Sequence, residues 1–201
     1  MTGFCGCAQV LLYRVSIAII QPVTIGKTRR LDYTQTISHT PIDEENIMAV
    51  KIVPKEDMVS TVGTKFEPSE WIEVTQERIN TFADCTEDHQ FIHVDTEAAA
   101  NTPFGTTIAH GFLTLSLLSK LLEGNGVVPE NTVMGLNYGF DKVRFLAPVK
   151  SGKRVRAHVE VKSVDQKDEN RFLITNSVSV EIEGEETPAL IAHWLTMVIT
   201  G

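Results

Sequence analysis

Residues 108–122 constrain the fold more than any other part of the 201-residue chain, because apolar side chains recur there on more than one helical face. Ile108, Phe112, Leu113, Leu117, Leu118, Leu121 and Leu122 describe a helix that must be covered on most sides. Gly124-Asn125-Gly126 then supplies residues able to take positive φ and stops it. Beyond that point the period changes to two. Strands are expected over 132–138, 142–145, 154–163, 172–183 and 190–199, with turn-prone breaks at 148–152, 165–170 and 184–188. One buried helix followed by consecutive strands predicts an antiparallel sheet wrapped around a central helix, an α+β arrangement.

Upstream, Trp71-Ile72-Glu73-Val74 alternates like a strand, and Thr75 can cap a helix over 76–83 with Glu77 in its first turn. Ile79, Phe82 and Ala83 share one face of it, and fraying is expected near Asp84. A polar loop carrying Asp88 and His93 follows. Asp95 is placed to cap a helical turn over 97–100, which Asn101-Thr102-Pro103 ends. Residues 1–50 are expected to be a leader outside the catalytic domain, which runs over 51–201. An apolar stretch at 8–20 is interrupted by Arg14 and is shorter than the roughly 20 residues a membrane span needs.

Several function classes fall away on composition. A formal charge of −8 argues against general nucleic-acid binding, which needs a broad basic face. Cys5 and Cys7 lie too close together to staple a domain and Cys85 stands alone, so no disulfide framework is expected and a cytoplasmic location is the simplest reading. Cys5-Gly6-Cys7 lacks a second Cys/His pair at ligand spacing, and no metal is assigned.

Asp88 and His93, five positions apart, form a plausible water-activating pair: an imidazole with a pKa of about 6.5 exchanges protons near neutrality, while a carboxylate holds and polarises the water. Taken with the helical lead-in before it and Phe104-Gly105-Thr106-Thr107-Ile108-Ala109-His110-Gly111 after it, the stretch resembles the MaoC-like dehydratases, which include the (R)-specific enoyl-CoA hydratases. Typical members carry glycine before the aspartate and asparagine-proline before the histidine; here those places hold Glu87, Gln90 and Phe91. Asp88-His89-Gln90 followed by Phe91-Ile92-His93 is similar to the branch named for nodulation protein N. The resemblance covers roughly 59–201 and is strongest over 82–118.

The resemblance implies a hotdog fold, a homodimer, and hydration or dehydration of acyl thioesters on CoA or an acyl carrier, with no metal or redox cofactor. It implies Asp88 and His93 as the catalytic pair. The backbone N–H of Gly111, in the first turn of the central helix, suits a developing oxyanion, and glycine leaves room for substrate there. Ser119 coincides with a serine lining the site in characterised hydratases; the other reading is a serine satisfied by a carbonyl one turn back. His110 is expected to fix the helix start, and His89 to shape the loop or to read the acyl chain. Lys142, Arg144, Lys153 and Arg154, with Lys150 and Arg156, form a basic cluster that either anchors CoA phosphates or is the solvated face of a hairpin. Two other functions remain open: a hotdog thioesterase, disfavoured because no Asp or Glu lies between Gly111 and Leu122, and a noncatalytic acyl-thioester-binding module.

Overall fold

The computed structural model describes residues 50–201. The expected leader, with Cys5 and Cys7, lies outside them up to residue 49. Strand β1 (Lys51–Val53) leads into a 3-10 helix (Lys55–Thr61), then β2 (Ile72–Glu73), α1 (Gln76–Thr86), α2 (Phe91–Val94), α3 (Thr96–Ala100), α4 (Gly111–Ser116), α5 (Leu118–Leu121), β3 (Val127–Pro129), β4 (Thr132–Phe145), β5 (Arg154–Asp168), β6 (Arg171–Ile182) and β7 (Leu190–Thr200). A five-stranded sheet has the order β2-β5-β6-β7-β4, and every neighbouring pair in it is antiparallel. The expected hotdog fold is borne out.

The sheet alternates as a half-buried surface must. Val155, Ala157, Val159 and Val161 of β5 and Val178, Val180 and Ile182 of β6 are buried, and those from Val155 to Val159 and from Val178 to Ile182 pack with Leu113, Leu117, Leu118 and Leu121 from the central helix. Truncating a fully buried side chain such as Leu118 to Ala is expected to cost about 2–5 kcal/mol. A second cluster, built on Met58, Val161, Phe172 and Val198, seats the 3-10 helix. The parallel pair β1-β3 was invisible to the pattern analysis, because each strand has only three residues.

Three expectations change. The segments 132–138 and 142–145 are one strand, interrupted by a register shift between Asp141 and Arg144 where Lys142 takes φ 55. The central helix is not covered on most sides: Phe112, Ser116, Ser119 and Lys120 are exposed. Finally, β4 and β5 are not two arms of a hairpin. They lie apart in the sheet, separated by β6 and β7, so the basic cluster is spread across it. No helix among the described residues is long and apolar enough to cross a membrane.

Candidate active site

The chain reverses sharply before Asp88. Thr75 caps α1 by accepting from the Arg78 N–H at 3.2 Å, and the helix runs two residues past its expected fraying point before Glu87 ends it in the left-handed conformation, φ 59. Asp88 follows on an exposed turn. His93 lies within α2, not on a loop as expected, and is buried. Asp95 caps α3 as expected, accepting from the N–H groups of Glu97 and Ala98.

His93 is held from two sides. Its Nδ1 lies 2.7 Å from the carbonyl oxygen of Ile108; since a carbonyl only accepts, Nδ1 carries the hydrogen and Nε2 keeps its lone pair. The Ile108 N–H returns a bond to the Ile92 carbonyl at 3.0 Å. Gln76 Nε2 donates to the His93 carbonyl at 2.7 Å, and the buried Thr107 hydroxyl donates to Gln76 Oε1. Burial pushes the His93 imidazole below its ordinary pKa. The Ile108 carbonyl opposes this, the His110 ring adds to it, and Asp88 opposes it. The resting side chain is therefore a neutral base near pH 7.

The Asp88 carboxylate accepts no hydrogen bond among the described residues: the side chain is 57% exposed, and His110 Nε2 stands 3.9 Å from it. A carboxylate oxygen of Asp88 and a ring nitrogen of His93 lie within 4.8 Å, a span that one water bridges. His110 completes a group of three donors close enough to invite a cation. The His93 and His110 rings are stacked, however, with centroids 3.8 Å apart and planes at 27°. In-plane lone pairs on stacked rings do not converge, and His93 Nδ1 and His110 Nε2 already face carbonyls, so the set is a poor chelate.

A cleft of about 260 Å³ opens beside His93, lined by His93, Ile108, Gly111, Thr114, Phe145 and Val149 among others; Asp88 does not line it. The Gly111 N–H has no acceptor among the described residues. The room left by its missing side chain is taken by a protein group: a Cβ there would sit 3.1 Å from the Phe145 ring. The expectation that glycine keeps this space for substrate is corrected to that extent.

The remaining expected residues divide. Ser119 is exposed and does not line the cleft; eight helical residues beyond Gly111 place it about 80° further round the axis. Arg154 pairs with both carboxylate oxygens of Glu183, and Lys153 reaches Glu185 at 3.2 Å, so these cations are largely neutralised by the chain itself. Arg156 pairs with Glu181 and covers the Trp71 ring at 4.5 Å. Lys142 and Arg144 lie on β4, across the sheet from Arg154. Lys150 makes no ion pair among the described residues, and it lines a second cleft that shares Ala147 and Pro148 with the first. His89 pairs with Asp84 at 2.9 Å, in keeping with a loop-shaping role. Pattern reasoning missed Gln76, Thr107 and Phe145, which act only through distant contacts.

A sequence profile of the MaoC like domain matches residues 57–182. The chain is 51% identical over 144 residues to nodulation protein N of Rhizobium leguminosarum bv. viciae, covering 71% of this chain and 89% of that protein. It is 47% identical over 137 residues to 3-hydroxyacyl-thioester dehydratase Z of Mycobacterium tuberculosis, covering 68% and 90%. Among solved structures it resembles the (R)-hydratase from A. caviae involved in PHA biosynthesis, with TM-score 0.55 and 27% identity over 67% of this chain and 94% of that one. The resemblance read from residues 82–118 is thus borne out, and the chain belongs to the MaoC-like domain family.

Proposed function

We propose that the protein adds water across the double bond of a trans-2-enoyl thioester and removes it from the corresponding (R)-3-hydroxyacyl thioester, carried on CoA or an acyl carrier. The observation that carries this reading is the neutral His93 imidazole with Nε2 free of a partner near the Asp88 carboxylate, which accepts no hydrogen bond among the described residues, at the edge of a cleft lined by Gly111, whose N–H has no acceptor among them. Asp88 holds the water. His93 Nε2 takes one of its protons as the oxygen attacks C3, and returns that proton to C2. Negative charge moves to the thioester oxygen, where the Gly111 N–H receives it. One water supplies both hydroxyl and proton, so the step balances without a metal or redox cofactor. The dehydratase and (R)-hydratase relatives support the same reaction class and hand.

A homodimer accompanies this reading. Among the described residues β4 bonds only to β7 and leaves its other edge open, with Val133, Met134, Leu136 and Tyr138 exposed along it, and Phe112 stands out from the helix. A second copy is the occupant that covers them. Absence of a disulfide framework supports a cytoplasmic setting, and acidic composition supports action without nucleic acid or membrane.

The test follows loss of enoyl-thioester absorbance with crotonyl-CoA and longer trans-2-enoyl-CoAs. Asp88→Asn and His93→Ala should each remove most turnover, and the product should be the (R)-alcohol. A folded wild-type protein that binds acyl-CoA but is inert across chain lengths overturns the hydratase and leaves a binding module.

A further inference from the structure

We infer that His110 is a positioning residue for the Asp88/His93 pair: its Nε2–H holds the backbone carbonyl of Asp88 while its ring backs the imidazole of His93. This rests on the hydratase reading of the site. The bond to the Asp88 carbonyl is 2.8 Å, and the stacked centroids are 3.8 Å apart. One buried side chain therefore touches both members of the pair through different contacts.

The turn bearing Asp88 has little else to fix it. The His89–Asp84 pair is exposed, and the Asp88 carboxylate itself makes no hydrogen bond among the described residues. His110, by contrast, is 3% exposed and is flanked by the Phe82 ring at 5.1 Å. Its neighbour Ala109 is tied to the Val149 carbonyl at 2.7 Å. A fixed body is thus bonded to an exposed turn.

Two simpler roles fail. His110 stands at the N-cap of α4, yet its side chain makes no capping bond, so it does not fix the helix start as expected from sequence. Packing alone does not account for a histidine either: Nδ1 is buried with no partner, and an unpaired buried polar atom is costly. A phenyl ring would fill the same space without that cost. The Nε2–H is what a phenyl ring lacks.

His110→Phe keeps the ring and removes the donor; His110→Gln keeps a donor and removes the ring. With crotonyl-CoA, His110→Phe is expected to lower kcat on the order of 10–100-fold with KM within about twofold, and His110→Gln to recover part of that loss. Wild-type kcat in a folded His110→Phe protein overturns the proposal, as does a raised KM with unchanged kcat. The 13C shift of the Asp88 carbonyl reads the hydrogen bond without turnover: it should move upfield in His110→Phe and stay near wild type in His110→Gln. An unmoved carbonyl in folded His110→Phe overturns the positioning role whether or not the wild type turns over. If that variant does not fold, a His110→Gln carbonyl shifted away from wild type does the same. Inert wild type with the expected shifts overturns the hydratase reading alone.

Discussion

The Phe145 ring lies over Gly111, so close that a Cβ on Gly111 would stand 3.1 Å from two ring carbons. Gly111 opens α4, and its N–H, the group assigned to the oxyanion, has no acceptor among the described residues. Gly111→Ala is therefore expected to disturb catalysis more than folding. Its φ is not in the left-handed region and Phe145 is 46% exposed, leaving the ring room to yield. Steady-state kinetics with crotonyl-CoA should show kcat lowered on the order of tenfold, with a stability change of about 1 kcal/mol or less by urea unfolding. Wild-type kcat in the alanine variant would remove Gly111 from the oxyanion site.

Acid should silence the protein before neutral pH does. Burial holds the folded-state pKa of His93 below its unfolded value of about 6.5, and the neutral imidazole is the form that takes the water proton. The acid limb of kcat/KM is thus expected below pH about 6.5 and should disappear in the residual activity of His93→Ala. Stability follows with a determined sign. Between the two pKa values the unfolded chain binds more protons, so His93's contribution is fully present above pH about 6.5 and is lost as pH falls through the folded value. A wild-type acid limb centred above 6.5 would contradict the buried, neutral base.

Much of this site was legible because it is local. Thr75 as a cap, Asp95 as a cap, and the Asp88/His93 spacing each depend on residues within a few positions; both caps form where the pattern placed them, and Asp88 and His93 come within 4.8 Å of each other although His93 sits on α2 rather than on the loop. The sheet was legible for the same reason, since period-two alternation is a property of each strand alone. Gln76 was not: nothing near it in sequence says that its amide will reach His93, seventeen residues on, and Thr107, thirty-one residues on. The basic cluster misled because adjacency along the chain suggested one hairpin. The connection from β4 to β5 instead crosses the sheet, and only the assembled fold pairs Arg154 with Glu183.

That pairing separates the cations that can serve a CoA phosphate from those that cannot. Arg154 is already engaged by a carboxylate, so Arg154→Glu should leave KM for crotonyl-CoA nearly unchanged. Lys150 has no such partner among the described residues and lines the second cleft, which shares Ala147 and Pro148 with the first. Lys150→Glu should raise KM several-fold with kcat retained, and the rise should shrink as salt is added. Equal KM values in both variants would reject a phosphate contact at Lys150.

Strand β4 gives the last prediction, because its exposure conflicts with its composition. Leu136 and Tyr138 are 48% and 63% exposed on a long strand whose outer edge bonds to nothing among the described residues. Such an edge invites a further strand, and a second copy offers the same edge with the same apolar side chains. Lysines at both positions would set like charges against one another across a two-fold contact while leaving the β7 side and the core intact. Sedimentation of wild type should give about twice the 22.3 kDa chain mass, and Leu136→Lys/Tyr138→Lys should sediment as a folded 22.3 kDa species. A wild-type protein that sediments as a monomer at micromolar concentration contradicts the dimer, and an unaltered dimer in the variant moves the interface away from this edge.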